Sequence, residues 1–323
     1  RESRERSTPS DMLALLNLAP EGLTVMSPTT RTSKMQPSCI RMDLEATRDV
    51  EVDVTSWQSA SLAKVADTLG LTEKEYAAEF GYDSFSLAGS TGSVRSYEGA
   101  GTPNVAWCSG LAIEGARASI SAFCGPLTDV PHLIASVGVS DGGIDLYIDW
   151  RPRADAAYDP ACATLADYPE PADRDMFAQG SARKDFASCF YTEDAEAWRN
   201  ALLAQGTPNP PLSIEQTATV SVGPLLVDLR LPLTDAAAAT ASDACAAAVD
   251  RWLGWMTGAG EMKRELAAGA KQTQTYARDT KVRANHFAFL LGQYTPLFGA
   301  DEAHALATAD AGPLDEAYVG GAS

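Results

Sequence analysis

Apolar residues recur along this chain with two periods. Leu62, Val65, Ala66 and Leu69 fall on one helical face and predict a helix over 59–80, with a second helical turn opening at Thr72, where Glu73 and Glu75 suit a helix start. Strand-like segments follow. Residues 105–113 are small and apolar. Residues 117–124 alternate, with Ala118, Ile120, Ala122 and Cys124 on one face, and 133–139 form a third segment. Ser140-Asp141-Gly142-Gly143 reads as a tight turn, because glycine supplies the positive backbone angles a hairpin needs. Residues 144–150 then alternate strictly, Ile144, Leu146, Ile148 and Trp150 against Asp145, Tyr147 and Asp149. Further strands are expected over 217–222 and 225–231. Consecutive strands on short turns imply an antiparallel sheet.

The C-terminal part turns helical. Thr192 can cap a helix reaching Ala204, with Glu193 and Asp194 in its first turn. Thr234 can cap another to about Met256, with Cys245, Val249, Trp252 and Met256 as its apolar seam and Gly258 and Gly260 after it. Two more helices are expected over 261–272 and 276–294. The fold class is α+β. No internal repeat is visible. Residues 1–50 lack periodicity and are rich in Ser, Thr, Pro and Arg; they read as an extended arm whose apolar piece, Met12 to Leu18, could anchor it to the domain or a partner. The opening Arg1-Glu2-Ser3-Arg4-Glu5-Arg6 carries no initiator Met and could follow a removed targeting segment.

Charge narrows the function. The chain of 323 residues holds 43 acidic and 25 basic residues, net −18, which disfavours nucleic acid and anionic membrane surfaces. No run approaches the roughly 20 apolar residues of a membrane helix. Six Trp, ten Tyr and nine Phe allow a sizeable core. The six cysteines form no CxxC and have no histidine at zinc-finger spacing, so they read as reduced thiols, several of them buried. Gly89-Ser90-Thr91-Gly92 lacks the lysine of a phosphate loop and reads as a turn. No GxGxxG opens a helix, and no GxSxG nucleophile elbow appears. With only three scattered histidines, His132, His286 and His304, a histidine-rich metal site is not expected. What remains is carboxylate chemistry, or none.

Three stretches carry a resemblance. The first runs from Val105-Ala106-Trp107-Cys108 through Ala118-Ser119-Ile120-Ser121-Ala122-Phe123. The second joins Pro131-His132-Leu133-Ile134 to Leu146-Tyr147-Ile148-Asp149-Trp150-Arg151-Pro152-Arg153, then Asp155 and Asp159-Pro160. The third joins Arg278-Asp279-Thr280-Lys281-Val282-Arg283 to Pro296-Leu297-Phe298-Gly299-Ala300-Asp301. In order and separation they resemble the red chlorophyll catabolite reductase family, within the ferredoxin-dependent bilin reductase superfamily. The resemblance divides the chain into the arm at 1–50, a helical lead-in at 51–83, a bilin-reductase-like domain at 84–311 and a tail at 312–323, with 205–224 as an insertion.

The resemblance implies a three-layer α/β/α sandwich around a central antiparallel sheet. It implies a linear tetrapyrrole between the sheet and the C-terminal helices, no tightly bound metal or flavin, and ferredoxin as the one-electron donor. Asp279 matches the acidic residue of the family's helix motif and becomes the candidate proton donor; by spacing alone it reads as a helix-surface ion pair with Arg278 or Arg283. The family's second acid, on the strand after Pro131, is replaced by Ser136, which can donate a hydrogen bond but cannot serve as an acid. Asp141, Asp145 or Asp149 could compensate only if they face the pigment; otherwise they are solvated hairpin carboxylates.

Ser136, Arg283, His286 and Arg153 are the candidate substrate contacts. His286 could bond a propionate or lactam, although a satisfied structural histidine is the simpler reading, and the one given to His132 and His304. Lys263, Arg264, Lys271 and Lys281, with Arg278 and Arg283, gather positive charge that could dock acidic ferredoxin, or form an ordinary solvated helix face. Trp252 and Trp255 read as core. The expectation is ferredoxin-dependent reduction of a linear tetrapyrrole from chlorophyll breakdown, in the chloroplast stroma or on the stromal face of the thylakoid. The alternatives are a catalytically impaired scaffold of a photosynthetic membrane complex, reached through the arm, or a bilin carrier.

Overall fold

The computed structural model describes residues 52–74, 83–87, 90–99, 105–125, 128, 130–140, 142–151, 190, 192–209, 223, 225–258 and 270–312. All of them lie in one of two compact units of the chain, Gln36–Ser323. The arm at 1–50, the strand expected over 217–222 and the tail beyond Gly312 lie outside the described residues.

Helix α1 spans Ser56–Leu69. Asp53 Oδ1 starts it by accepting from the N–H groups of Thr55 at 2.8 Å and Ser56 at 3.1 Å. Gly70 stops it in the left-handed region, φ 61°. The helical turn expected at Thr72 is not formed. Thr72–Lys74 is instead an edge strand, β1, paired with β3 from Thr72↔Glu98 to Lys74↔Ser96. Sheet pairing and a Lys74–Glu98 ion pair override the helical leaning of Glu73. The residues of the expected 59–80 helix from 75 onward lie outside the described residues.

Strand β2 is Phe85–Leu87 and β3 is Ser90–Glu98. Ser90, Thr91 and Gly92 therefore belong to a strand that sequence patterning reads as a turn. Gly92 is needed there because the Phe85 ring lies where its Cβ would go. A meander follows: β4 Val105–Ile113, β5 Arg117–Cys124, β6 His132–Ser140 and β7 Gly143–Arg151. Gly115 at φ 69° and Gly142 at φ 73° make two of its tight turns. Then come α2 Glu193–Leu203, β8 Thr207–Pro208, β9 Val227–Pro232, α3 Asp235–Thr257, α4 Ala270–Phe298 and α5 Ala300–Ala311. Thr192 and Thr234 cap α2 and α3 as their sequences predict, each Oγ1 accepting an N–H at 3.2 Å. The break expected between 272 and 276 is absent. No glycine or proline occurs between Ala270 and Gly292, so nothing stops α4 there.

Among the described residues the strands form one sheet, β1-β3-β4-β5-β6-β7-β9-β8, with β2 also on β3 and every pairing antiparallel. Helices cover both faces, giving an α/β/α sandwich. One face is hydrocarbon. Ala118, Ile120, Ala122, Leu133, Val137, Ile144, Leu146 and Ile148 pack with α1, α2 and α3. The seam of α3 joins them, and Trp252 Nε1 donates to Pro131 O at 2.9 Å.

The opposite face, under α4 and α5, is buried and mixed: Val94, Leu111 and Ile113 pack with α4 and α5, while the middle strands present polar groups. Strands covered on both sides lose the contrast between an apolar and a wet face. Asp145 and Asp149 are accordingly buried, not solvated.

Candidate functional site

Register fixes what the polar face presents. Ser121, Ile134 and Asp149 are neighbours across β5, β6 and β7; Ser119, Ser136, Tyr147 and Asp228 are neighbours across β5, β6, β7 and β9; His132 lies opposite Arg151. Because strand side chains alternate, all of these point to the α4 side, and all the polar ones are buried. Ser136, a candidate contact, is thus in the floor of this layer. Asp145 and Asp149 share its face, and Asp141 lies outside the described residues.

Helix α4 supplies the other wall. Asp279, Val282, Arg283, His286 and Leu290 recur at helical spacing and are all buried. Asp279 is 0% exposed and is not the surface ion-pair partner that spacing alone suggests. Its Oδ1 stands 3.0 Å from His132 Nε2. His132 Nδ1 accepts the backbone N–H of Cys124 at 2.9 Å, so the hydrogen of the neutral ring sits on Nε2 and is donated to Asp279. The ring cannot become imidazolium while that backbone bond is kept. His132 is a buried, satisfied histidine, as expected, but the partner that satisfies it is the candidate acid.

Arg283 is 1% exposed; its Nε donates to Ala311 O at 3.2 Å, and its guanidinium carbon lies 6.0 Å from the centre of the Phe123 ring. His286 pairs Nε2 with Ser121 Oγ at 3.3 Å, while its Nδ1 is buried without a partner. Burial holds the His286 pKa well below its usual value, helped by the charges of Arg151, Arg117 and Arg283, so the ring is neutral near pH 7. Arg153, Lys263 and Arg264 lie outside the described residues. Lys271 and Lys281 fall within α4, but their side chains are likewise outside them.

A cluster that sequence patterning misses lies on β7. Asp149 Oδ2 accepts from Arg151 Nε at 3.1 Å and from Tyr147 Oη at 3.2 Å; Arg151 Nη2 donates to Tyr147 Oη at 3.4 Å. Gly223 N–H donates to Asp149 Oδ1 at 2.8 Å. Burial pushes the Asp149 carboxyl up, against the opposing pull of Arg151 and the Gly223 N–H. Arg151 Nη1 is buried without a partner. The signal for this cluster is the i, i+2, i+4 spacing of Tyr147, Asp149 and Arg151, which puts all three on one face.

Helix α5 closes the far end. Ser96 Oγ donates to Ala309 O at 2.7 Å, Ser109 Oγ to Asp310 Oδ1 at 3.0 Å, and Tyr294 Oη to Asp310 Oδ2 at 2.7 Å. Burial raises the Asp310 pKa.

This frame has a known counterpart. The fold is similar to that of phytochromobilin synthase. The solved tomato phytochromobilin synthase, in complex with biliverdin, superposes with a TM-score of 0.53 at 14% identity, over 81% of this chain and 85% of that one. No protein-family model matches the sequence, and no curated protein matches it. At that identity the likeness to phytochromobilin synthase is one of fold. What the layer can do rests on its own chemistry: buried carboxyls, neutral histidines and guanidinium donors around Asp279, under a helix.

The thiols stand apart from it. Cys108, Cys124 and Cys245 are buried and outside any disulfide, and burial pushes the Cys108 thiol up to about 12, too high for a reactive thiolate. Among the described residues no group of three or more His, Cys, Asp or Glu is placed to hold a metal ion, and no helix is long and apolar enough to cross a membrane.

Proposed function

We propose that this protein reduces a linear tetrapyrrole with electrons from ferredoxin, and that Asp279 delivers a proton to the pigment. The observation that carries this is the Asp279–His132 pair at 3.0 Å, fully buried between helix and sheet. Oδ1 is the oxygen that accepts from His132, so in the acid form the proton sits on Oδ2. Each electron placed on a conjugated pigment raises its basicity, and a positioned carboxylic acid then protonates it. The fold likeness to a protein solved with biliverdin, a linear tetrapyrrole, supports the substrate class. The resemblance in the three sequence stretches supports a pigment from chlorophyll breakdown and a plastid setting, with ferredoxin docking near the basic residues of 263–283.

The test is an anaerobic assay with reduced ferredoxin and a regenerating system, run separately with red chlorophyll catabolite and with biliverdin. Gain of two hydrogens by mass, dependent on ferredoxin and abolished in Asp279→Asn, supports the reading. Wild-type turnover by Asp279→Asn removes Asp279 from it. A second reading follows from Ser136, which leaves β6 without a carboxyl at the family's acidic position: a pigment carrier or scaffold. Tight binding of pigment with no reduction supports that reading instead.

A further inference from the structure

Adding two hydrogens to a pigment consumes two electrons and two protons. Ferredoxin carries electrons only, and Asp279 holds one proton at a time. Among the described residues, the sheet face opposite α4 offers further proton-bearing groups. The hydroxyls of Ser119, Ser121 and Ser136 are far too weakly acidic to serve. Asp145 sits in the row of Gly138, near the hairpin end, while His132 lies at the other end of β6. Tyr147 differs. It lies directly opposite Ser136, yet its hydroxyl leans back toward the His132 end, 3.2 Å from Asp149 Oδ2 and 3.4 Å from Arg151 Nη2. Arg151 in turn is the register partner of His132, which holds Asp279.

We propose that Tyr147 is a second proton-delivering residue, reloaded by Asp149 and acting from the sheet side of the layer whose helix side carries Asp279. This rests on the bilin-reductase reading. Two observations favour a polar ligand in this layer: Arg151 Nη1 and His286 Nδ1 are both buried and both lack a protein partner. Phe289 of α4 packs over Tyr147 and Ile134, so the phenol faces the helix and not another strand.

The step balances as follows. Reduced ferredoxin gives one electron to the pigment and is oxidised. With Asp149 in its acid form the 3.2 Å bond reverses, Asp149 Oδ2 donating to Tyr147 Oη, so the phenol hydrogen is free to turn to the pigment radical, which takes it as the O–H bond breaks and a C–H or N–H bond forms. The resulting phenolate lies beside the Arg151 guanidinium, which stabilises it, and recovers a proton from the acid form of Asp149. Asp149 is reloaded from water between turnovers. A phenol is too weak an acid to give up its proton unaided near pH 7, and the adjoining Arg151 charge is the feature that lowers this cost.

The test compares wild-type protein with Tyr147→Phe, Asp279→Asn and the double variant Tyr147→Phe/Ser136→Asp in the anaerobic ferredoxin assay. Phenylalanine keeps the ring's packing and leaves the Asp149–Arg151 pair in place. Pigment binding, read by absorbance, is expected to be unchanged in Tyr147→Phe. Its kcat is expected to fall about 10²-fold with KM unchanged, the scale of a positioned proton donor, while a one-electron-reduced pigment radical accumulates by EPR. Ser136→Asp puts a carboxyl on the strand position opposite residue 147 and is expected to restore part of the rate, which it could not do if Tyr147 were merely structural. Turnover by Tyr147→Phe at the wild-type rate, with the same product and no radical, overturns the proposal alone. A wild-type protein that reduces neither pigment overturns the proposal together with the reading beneath it.

Discussion

His132 donates to Asp279 and cannot do otherwise. Its Nδ1 is committed to the Cys124 N–H at 2.9 Å, so the Nε2 that stands 3.0 Å from Asp279 Oδ1 carries the hydrogen. Asparagine at 279 keeps an oxygen to accept that hydrogen, whereas leucine takes that acceptor away. Asp279→Asn is therefore expected to change unfolding free energy by less than about 1 kcal/mol, and Asp279→Leu to cost about 1–3 kcal/mol. Urea denaturation of the two variants checks this, and equal losses would remove the pairing from the account.

His132→Phe removes the acceptor of the Cys124 N–H and a donor to Asp279. A loss of about 2–5 kcal/mol is expected, more than for either Asp279 variant. The same denaturation series reads it. A near-neutral His132→Phe would show that neither bond contributes to stability.

Stability should fall with acid in a way that traces to His286. The folded state holds this ring neutral well below its ordinary value of 6.5, while the unfolded chain takes up a proton near that value. Below pH 6.5 the unfolded state binds the extra proton, so stability falls by up to about 1.4 kcal/mol per pH unit from this group. The raised carboxyls of Asp149 and Asp310 act with the opposite sign as pH falls through their folded-state values toward 3.8. The comparison of wild type with His286→Gln between pH 7 and 5 isolates the histidine. The difference in unfolding free energy between the two should shift with pH, and a constant difference would contradict the assignment.

Gly312 ends α5 at φ 79° and ψ 157°, a conformation nearly confined to glycine. A Cβ there would lie 2.7 Å from the Trp107 ring and 2.6 Å from Arg283 Nη2. Gly312→Ala is expected to cost about 1–3 kcal/mol and to loosen the Arg283–Ala311 bond. Gly70→Ala meets only open space at φ 61° and should cost about 1 kcal/mol. Thermal melts of the two variants test the ranking.

The meander from 105 to 151 is legible in the sequence because its alternation and glycine turns are local signals. So are the Thr192 and Thr234 caps. The polar face is harder to read. Asp145, Tyr147 and Asp149 alternate with large apolar residues just as solvent-facing side chains do, and only the helix above them makes them interior. Helix α5 carries no stripe of large apolar residues, since much of its inner surface is alanine: Ala303, Ala307, Ala309 and Ala311 are buried. Asp279 is legible as a candidate through its motif. Its partner is not, because His132 and Asp279 are 147 residues apart and no spacing rule reaches that far.

The two sides of the sheet carry different burdens. The hydrocarbon side, with α1, α2 and α3, holds the larger apolar cluster, and the α4 side a smaller one beside its polar groups. A sheet organised this way separates the side that holds the larger apolar core from the side that holds buried polar chemistry, so the identity of one polar residue need not disturb the other side's packing. Ser136 beside Tyr147 and Asp149 on the next strand shows the result: a hydroxyl, a phenol and a carboxyl gathered on one face while the other stays hydrocarbon.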